Sequence, residues 1–254
     1  MQLTAIPSLT DNYIWLLSDA QGQAVVVDPG ESAPVERHLQ AHGLSLRAIL
    51  LTHHHDDHIK GAAALQMNHH SAVYAPHDPR IDLIGHRVSD GDLISLESPA
   101  LTLRVMGVPG HTLSHIAYCG DGKLFCGDTL FSLGCGRLFE GQPEQMLASL
   151  DRFAELPADT LVCAAHEYTA ANGRFALSVD PANPALQQRV RDVDLLRAEH
   201  LPSLPVSLAS ERQTNPFLRV DDPAVIDWCR HHGAAESRVS RFAALRQAKD
   251  HFTA

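Results

Sequence analysis

Directly after the apolar run Leu50-Leu51 and a single threonine, the chain places His53-His54-His55-Asp56-Asp57-His58, four imidazoles and two carboxylates in six positions. His53 and His55 are two apart. Extended backbone turns every second side chain to the same side, so both rings face one point. A turn at Asp56 then swings Asp57 and His58 towards a neighbouring point. Imidazole nitrogens with a carboxylate oxygen form the donor set of zinc or iron sites. An isolated tract of this kind reads first as a solvated polar loop, and positions further along reverse that reading. Val108-Pro109-Gly110-His111, Phe125-Cys126-Gly127-Asp128 and Val162-Cys163-Ala164-Ala165-His166 each put a ligand-type residue just past an apolar segment. The candidates are therefore His53, His55, Asp57, His58, His111, Asp128 and His166. One metal takes about three or four protein ligands, so this set suits two divalent ions. If Asp128 bridges, His53, His55 and His111 complete one site, and Asp57, His58 and His166 the other. Each ion then keeps an open position for a shared hydroxide, a known hydrolytic arrangement when the ions stand about 3.5–4 Å apart.

The elements that must position these groups can be read from the same pattern. Residues 46–51 form a short aliphatic strand and residues 59–67 an Ala- and Leu-rich helix, so the His tract lies where a strand leaves a sheet. In α/β sheets that end of a strand is where ligands bind. Residues 12–17 and 24–27 predict an antiparallel hairpin, and Ser32 a cap for a helix ending at Gly43. Strands follow at 72–75, within 87–96, at 101–108, and at 116–119 and 123–126 around Gly120-Asp121-Gly122. A helix at 143–153 and a last strand at 160–164 lead into His166. Beyond it the pattern turns helical, at 170–177, 184–200, 223–232 and 237–249. The domain expectation is thus an α/β catalytic part over 1–168 and a helical part over 169–254. Asp28, at a strand end, is either an acceptor for a ligand histidine or a turn residue. His54 and Asp56 alternate away from the ligands.

Composition narrows the function class. A net charge of −10 argues against a nucleic-acid-binding surface and offers no attraction to anionic membranes. No apolar run approaches the roughly 18 residues needed to span a bilayer. The N-terminus shows no signal-peptide pattern. Five cysteines without a C-x-x-C pair suggest buried thiols in a reducing compartment. The expectation from composition is a cytoplasmic protein.

The set Thr52-His53-His54-His55-x-Asp57-His58, Pro109-Gly110-His111-Thr112, Gly127-Asp128-Thr129 and His166-Glu167-Tyr168 resembles the metallo-β-lactamase superfamily of binuclear hydrolases. Finer motifs are similar to the glyoxalase II family: Asp11-Asn12-Tyr13, Val27-Asp28-Pro29-Gly30, Gly134-Cys135-Gly136-Arg137, Asn215-Pro216-Phe217-Leu218-Arg219 and Lys249-Asp250-His251-Phe252. The resemblance implies an α/β fold, the αββα sandwich with a C-terminal helical domain. It implies two divalent metals, chiefly zinc with iron or manganese as options, held by the seven residues above, with Asp57 also catalytic. It implies hydrolysis of S-D-lactoylglutathione to glutathione and D-lactate. Glutathione contacts carry over onto Arg137, Leu138, Phe139, Tyr168, Arg246 and Lys249. Arg246 and Lys249 are three apart, so a helix gives them one face. Three positions depart from the family pattern: Asp56 stands where many relatives carry His, Lys60 replaces a common Gly, and Phe139 replaces a Tyr. Other readings are a phosphodiesterase of the same superfamily, disfavoured by the acidic balance, a zinc β-lactamase, disfavoured by Asp rather than Cys at 128, and a non-catalytic metal-binding protein.

Overall fold

The computed structural model describes residues 1–234 and 236–253, which pack as two compact units. The first comprises Met1–Gly107 and Ser114–Gly127, the second Val108–Leu113 and Asp128–Ala254.

The first unit is built on a six-stranded sheet in the order β1 (Gln2–Ser8), β2 (Asn12–Ser18), β3 (Gln23–Val27), β4 (Ser45–Leu50), β5 (Ala72–Pro76) and β6 (His86–Val88). β1, β2 and β3 are antiparallel, as the predicted hairpin requires, and β3 to β6 run parallel. Alternate residues Ile14, Leu16, Ala24, Val26, Ile49 and Val73 send one face of the sheet against Val35 and Leu39 of α1 (Ser32–His42) and Leu65 of α3 (Ala62–His69). Each large apolar side chain buried here contributes about 1.5–3 kcal/mol. The rest of the unit is an antiparallel meander of β7 (Leu93–Glu97), β8 (Ala100–Gly107), β9 (Ile116–Gly120) and β10 (Lys123–Gly127). Its buried Tyr118 donates its hydroxyl to the carbonyls of Leu51 and Tyr74 at 2.8 and 3.1 Å, tying meander to sheet.

Two local expectations change. The single helix predicted over 59–67 is two pieces, α2 (Asp56–Ile59) and α3. The break is at Gly61, whose N–H donates to the Pro29 carbonyl at 2.9 Å and where a Cβ would lie 2.4 Å from the Glu31 carbonyl carbon. Starting the first piece at Asp56 puts two carboxylates in a helical first turn, where the helix dipole favours them. Ser32 is the first helical residue rather than the cap. The N-cap is Glu31, whose carboxylate instead accepts from Ser8 Oγ and the Leu9 N–H. Strand β1 carried too weak an alternation to be read ahead of the structure.

In the second unit, the hairpin β11 (Leu130–Phe131) and β12 (Gly134–Cys135) precedes α4 (Pro143–Ala154). β13 (Leu161–Ala164) pairs with β14 (Val206–Ser207). The remaining helices are α5 (Thr169–Val179), α6 (Pro184–Ala198), α7 (Leu208–Thr214), α8 (Pro223–His231) and α9 (Arg238–His251). Side chains of Asn183, Ser207, Asp222 and Ser237 cap four of them. Phe175, Phe217 and Phe242 pack edge and face in the core between helices. Among the described residues no helix is long and apolar enough to cross a membrane.

Candidate metal centre

Four candidate ligands follow strands closely, His53 after β4, His111 after β8, Asp128 after β10 and His166 after β13, while Asp57 and His58 lie in α2. The first unit gathers His53, His55, Asp57 and His58. His53 and His58 are fully buried. Their rings lie 4.1 Å apart by centroid, and His53 Nε2 stands 3.0 Å from His55 Nδ1. His58 Nε2 is 3.4 Å from Asp57 Oδ2.

Hydrogen bonds on the outer side fix which nitrogen of each ring faces inward. The buried Asp28 carboxylate accepts from the Thr52 N–H at 2.8 Å, the Thr52 hydroxyl at 2.6 Å and His58 Nδ1–H at 3.0 Å. Thr52 spends its one hydrogen on Asp28, so its oxygen accepts from His53 Nδ1–H at 3.0 Å. Both rings therefore keep Nε2 as the lone-pair nitrogen. This is the outer support that metal-binding histidines use. Asp28 is thus an acceptor behind His58, the first of the two roles its sequence position allowed. Asn12 Nδ2 donates to Asp57 Oδ2 at 3.0 Å and orients it. Gly30 is obligatory here, because a Cβ would stand 2.0 Å from the Asp57 carbonyl oxygen.

The second unit gathers His111, Asp128 and His166, each less than one-tenth exposed. Asp128 offers one oxygen to each imidazole: Oδ2 lies 3.3 Å from His111 Nε2 and Oδ1 3.3 Å from His166 Nε2. His111 Nδ1–H donates to the Arg137 carbonyl at 2.9 Å, so Nε2 is the nitrogen available to a cation and it faces a carboxylate oxygen. In each unit, then, an imidazole whose Nδ1–H donates outward turns its Nε2 towards a carboxylate oxygen, His58 to Asp57 at 3.4 Å and His111 to Asp128 at 3.3 Å. A cation beside such a pair is attracted to both atoms, so the donor set fits divalent metal.

A cavity of about 370 Å³ opens in the second unit, lined by His111 and Asp128. Phe131, Phe139 and Tyr168 add an aromatic wall, and Arg137, Arg246 and Lys249 supply cations. Phe131 sets its edge on His166 and Tyr168, whose two rings stack at 4.7 Å. Phe139 is exposed and meets His111 edge-on. Arg246 is buried, donates to the Cys135 carbonyl at 2.6 Å and pairs with Asp250 at 3.0 Å, and Asp250 also stands 3.4 Å from Arg137. Burial and the charges of Arg246 and Arg137 lower the Lys249 pKa. Such a cluster of cations, only partly offset by Asp250, is chemically suited to a carboxylate. Leu138 is half-buried beside these groups and is not one of the cavity's lining residues. Burial pushes the Cys135 thiol up to about 11, which keeps it protonated and unfit as a nucleophile.

Sequence reasoning assigned no role to Thr52, Asn12, Phe131, Cys135 or Asn172. Asn12 sits in the Asp11-Asn12-Tyr13 motif and Cys135 in Gly134-Cys135-Gly136-Arg137, so a signal was present without a role attached. Phe131 opens the motif that runs to Gly141, again without a role attached, and Asn172 enters through the cavity.

Comparison with known proteins adds two family matches. Residues 9–166 match the metallo-beta-lactamase superfamily, and residues 167–252 match the hydroxyacylglutathione hydrolase C-terminus. A hydroxyacylglutathione hydrolase of Xanthomonas campestris pv. campestris (strain B100) is 50% identical over 257 residues, covering 100% of both chains. Among solved structures, the BLEG-1 B3 metallo-beta-lactamase superposes with a TM-score of 0.65 at 23% identity, over 85% of this chain and 99% of its own. TTHA1623, solved in a di-iron-bound form, gives 0.61 at 25% identity, over 86% of this chain and 100% of its own. The expected α/β metallo-β-lactamase-type fold with a C-terminal helical region is borne out.

Proposed function

The chain belongs to the hydroxyacylglutathione hydrolases of the metallo-beta-lactamase superfamily, and from that premise we propose that it cleaves S-D-lactoylglutathione to glutathione and D-lactate, the second step of methylglyoxal detoxification. It is a thioester hydrolase with His/Asp clusters suited to divalent metal. The proposed ligands of two ions, most simply zinc, are His53, His55, Asp57, His58, His111, Asp128 and His166. The observation that carries this reading is the Asp128 carboxylate, which presents one oxygen to His111 and the other to His166 and so would share its two oxygens among the histidines that hold the metal.

When bound, the metal pair acidifies water towards neutral pH and polarises the thioester carbonyl. The protein's own groups do the rest. Asp57, steadied by Asn12, accepts a hydrogen bond from the attacking water and holds its proton. Arg137, Arg246 and Lys249 hold the glutathione carboxylates, with Leu138, Phe139 and Tyr168 along the peptide. Phe139 lacks the hydroxyl of a tyrosine, which costs one hydrogen bond of about 1 kcal/mol net. The leaving thiolate has a conjugate acid pKa of about 8.5, so it departs without a dedicated acid. We further propose a catalytic part over residues 1–168 and a substrate-binding helical part over 169–254, supported by family matches that meet between 166 and 167. A reducing cytoplasm fits five cysteines with no disulfide among the described residues, and a monomer is the simplest assembly for this reading.

The test is metal content and S-D-lactoylglutathione hydrolysis measured on one purified sample, before and after chelation. Two equivalents of metal and activity lost on chelation are expected. Full activity without metal overturns the mechanism, and metal binding with no thioesterase activity overturns the function.

A further inference from the structure

Among the buried acids that the mechanism does not use is Glu211, in the second unit and far from the metal ligands in sequence. It is fully buried on α7, and burial raises its pKa. Burying a carboxylate is costly and needs compensation by donors. Two of its donors come from one turn and the third from the C-cap of its own helix. Ser132 Oγ donates at 2.7 Å and the Leu133 N–H at 2.9 Å. Asn215, also fully buried, donates its Nδ2 to Glu211 at 2.9 Å and to the carbonyls of Phe131 and Gly134 at 3.1 and 2.9 Å. Together Glu211 and Asn215 hold every residue from Phe131 to Gly134, the turn and inner pair of the β11–β12 hairpin. Leu133 adopts φ +60°, a left-handed conformation that branched residues avoid. It persists because its N–H is gripped by the carboxylate.

The hairpin carries cavity wall on both strands. Phe131 braces His166 and Tyr168. The Cys135 carbonyl takes the Arg246 guanidinium. We propose that Glu211 and Asn215 are positioning residues for substrate recognition: by clamping this hairpin they set where Arg246 stands in the cavity. The proposal rests on the glutathione-thioester reading above.

The metal-loaded full chain is compared with Glu211→Ala, Glu211→Gln, Arg246→Ala and the Glu211→Ala/Arg246→Ala double variant. Glu211→Ala strands two buried donors, so KM for S-D-lactoylglutathione rises about tenfold while kcat per folded molecule changes less than about threefold. Gln keeps an acceptor for Leu133 and can turn its NH₂ to the Ser132 hydroxyl, so KM is rescued to within about threefold of wild type. With Arg246 already removed, Glu211→Ala changes KM less than about twofold. An equal KM factor in both backgrounds overturns the proposal. So does a loss of kcat alone that tracks the folded fraction in thermal unfolding, which marks a purely structural role. If Glu211→Ala fails to fold, Ser132→Ala takes its place, with KM up about threefold in wild type and unchanged beside Arg246→Ala; equal factors again overturn it. S-methylglutathione affinity by calorimetry separates the two readings. Binding without hydrolysis in wild type defeats the reaction while leaving Kd to decide the clamp, and no binding defeats both.

Discussion

Asp28→Asn tests the support behind two proposed ligands, His58 directly and His53 through Thr52, while every ligand residue stays in place. In the native chain both carboxylate oxygens accept: Oδ1 from the Thr52 N–H at 2.8 Å, and Oδ2 from the Thr52 hydroxyl at 2.6 Å and His58 Nδ1–H at 3.0 Å. An amide has one oxygen. If it faces the Thr52 N–H, its NH₂ faces His58 Nδ1, which must then give up its hydrogen. The proton moves to Nε2, the atom proposed to bind metal. The opposite orientation sets the NH₂ against the Thr52 N–H, two donors in contact in a site only 5% exposed. Either way the ligand tautomer is disfavoured or a buried donor is stranded. Loss of such a partner typically weakens metal affinity about 10- to 100-fold, or about 1.4–2.7 kcal/mol. Competition against a chromophoric chelator measures it. The expected result is a 10- to 100-fold weaker metal site with kcat restored at saturating metal. Unchanged affinity in a folded Asp28→Asn protein would falsify the tautomer argument.

Three further outcomes are expected. Gly136→Ala places a Cβ 1.8 Å from the Asp128 carbonyl oxygen; the backbone under the proposed bridge must shift, so metal content and activity both fall by more than about tenfold, and normal metal stoichiometry would count against a role for Asp128. Burial raises the Glu211 pKa, so the folded chain binds that proton more tightly than the unfolded chain does. Stability from this group is full below the unfolded value of about 4.3 and is lost as pH rises through the higher folded value; wild type should therefore gain in Tm relative to Glu211→Gln as pH falls through that window, and a constant difference contradicts the shift. Lys249 has its pKa lowered by burial and by Arg246 and Arg137, so S-methylglutathione affinity should decline on the alkaline side before an ordinary lysine titrates. Lys249→Met should remove that pH dependence, and its persistence would assign it elsewhere.

Much of the fold was legible because it follows from local rules. The alternation in residues 12–17 and 24–27 forms β2 and β3, and Gly120-Asp121-Gly122 closes the β9–β10 hairpin. Gly43 ends α1 in the left-handed conformation that only a side-chain-free residue adopts without strain. The misreadings have tertiary causes. The helix at 59–67 breaks because Gly61 packs on backbone some thirty residues earlier, and Glu31 leaves its capping task for Ser8. The hairpin β11–β12 and the helix α7 are too short to show a period, and each is held by the other.

By itself the sequence determined which donor atoms are available and that they sit just past strands, because residue type and a period of two are properties of neighbours along the chain. Only the tertiary structure decided which nitrogen of each ring faces inward, that Asp28 stands behind His58 across 30 residues, and that Arg246 reaches the Cys135 carbonyl across 111. Those choices are made by single hydrogen bonds between distant segments. Their partners are fixed by packing, which leaves no periodic trace in the order of residues.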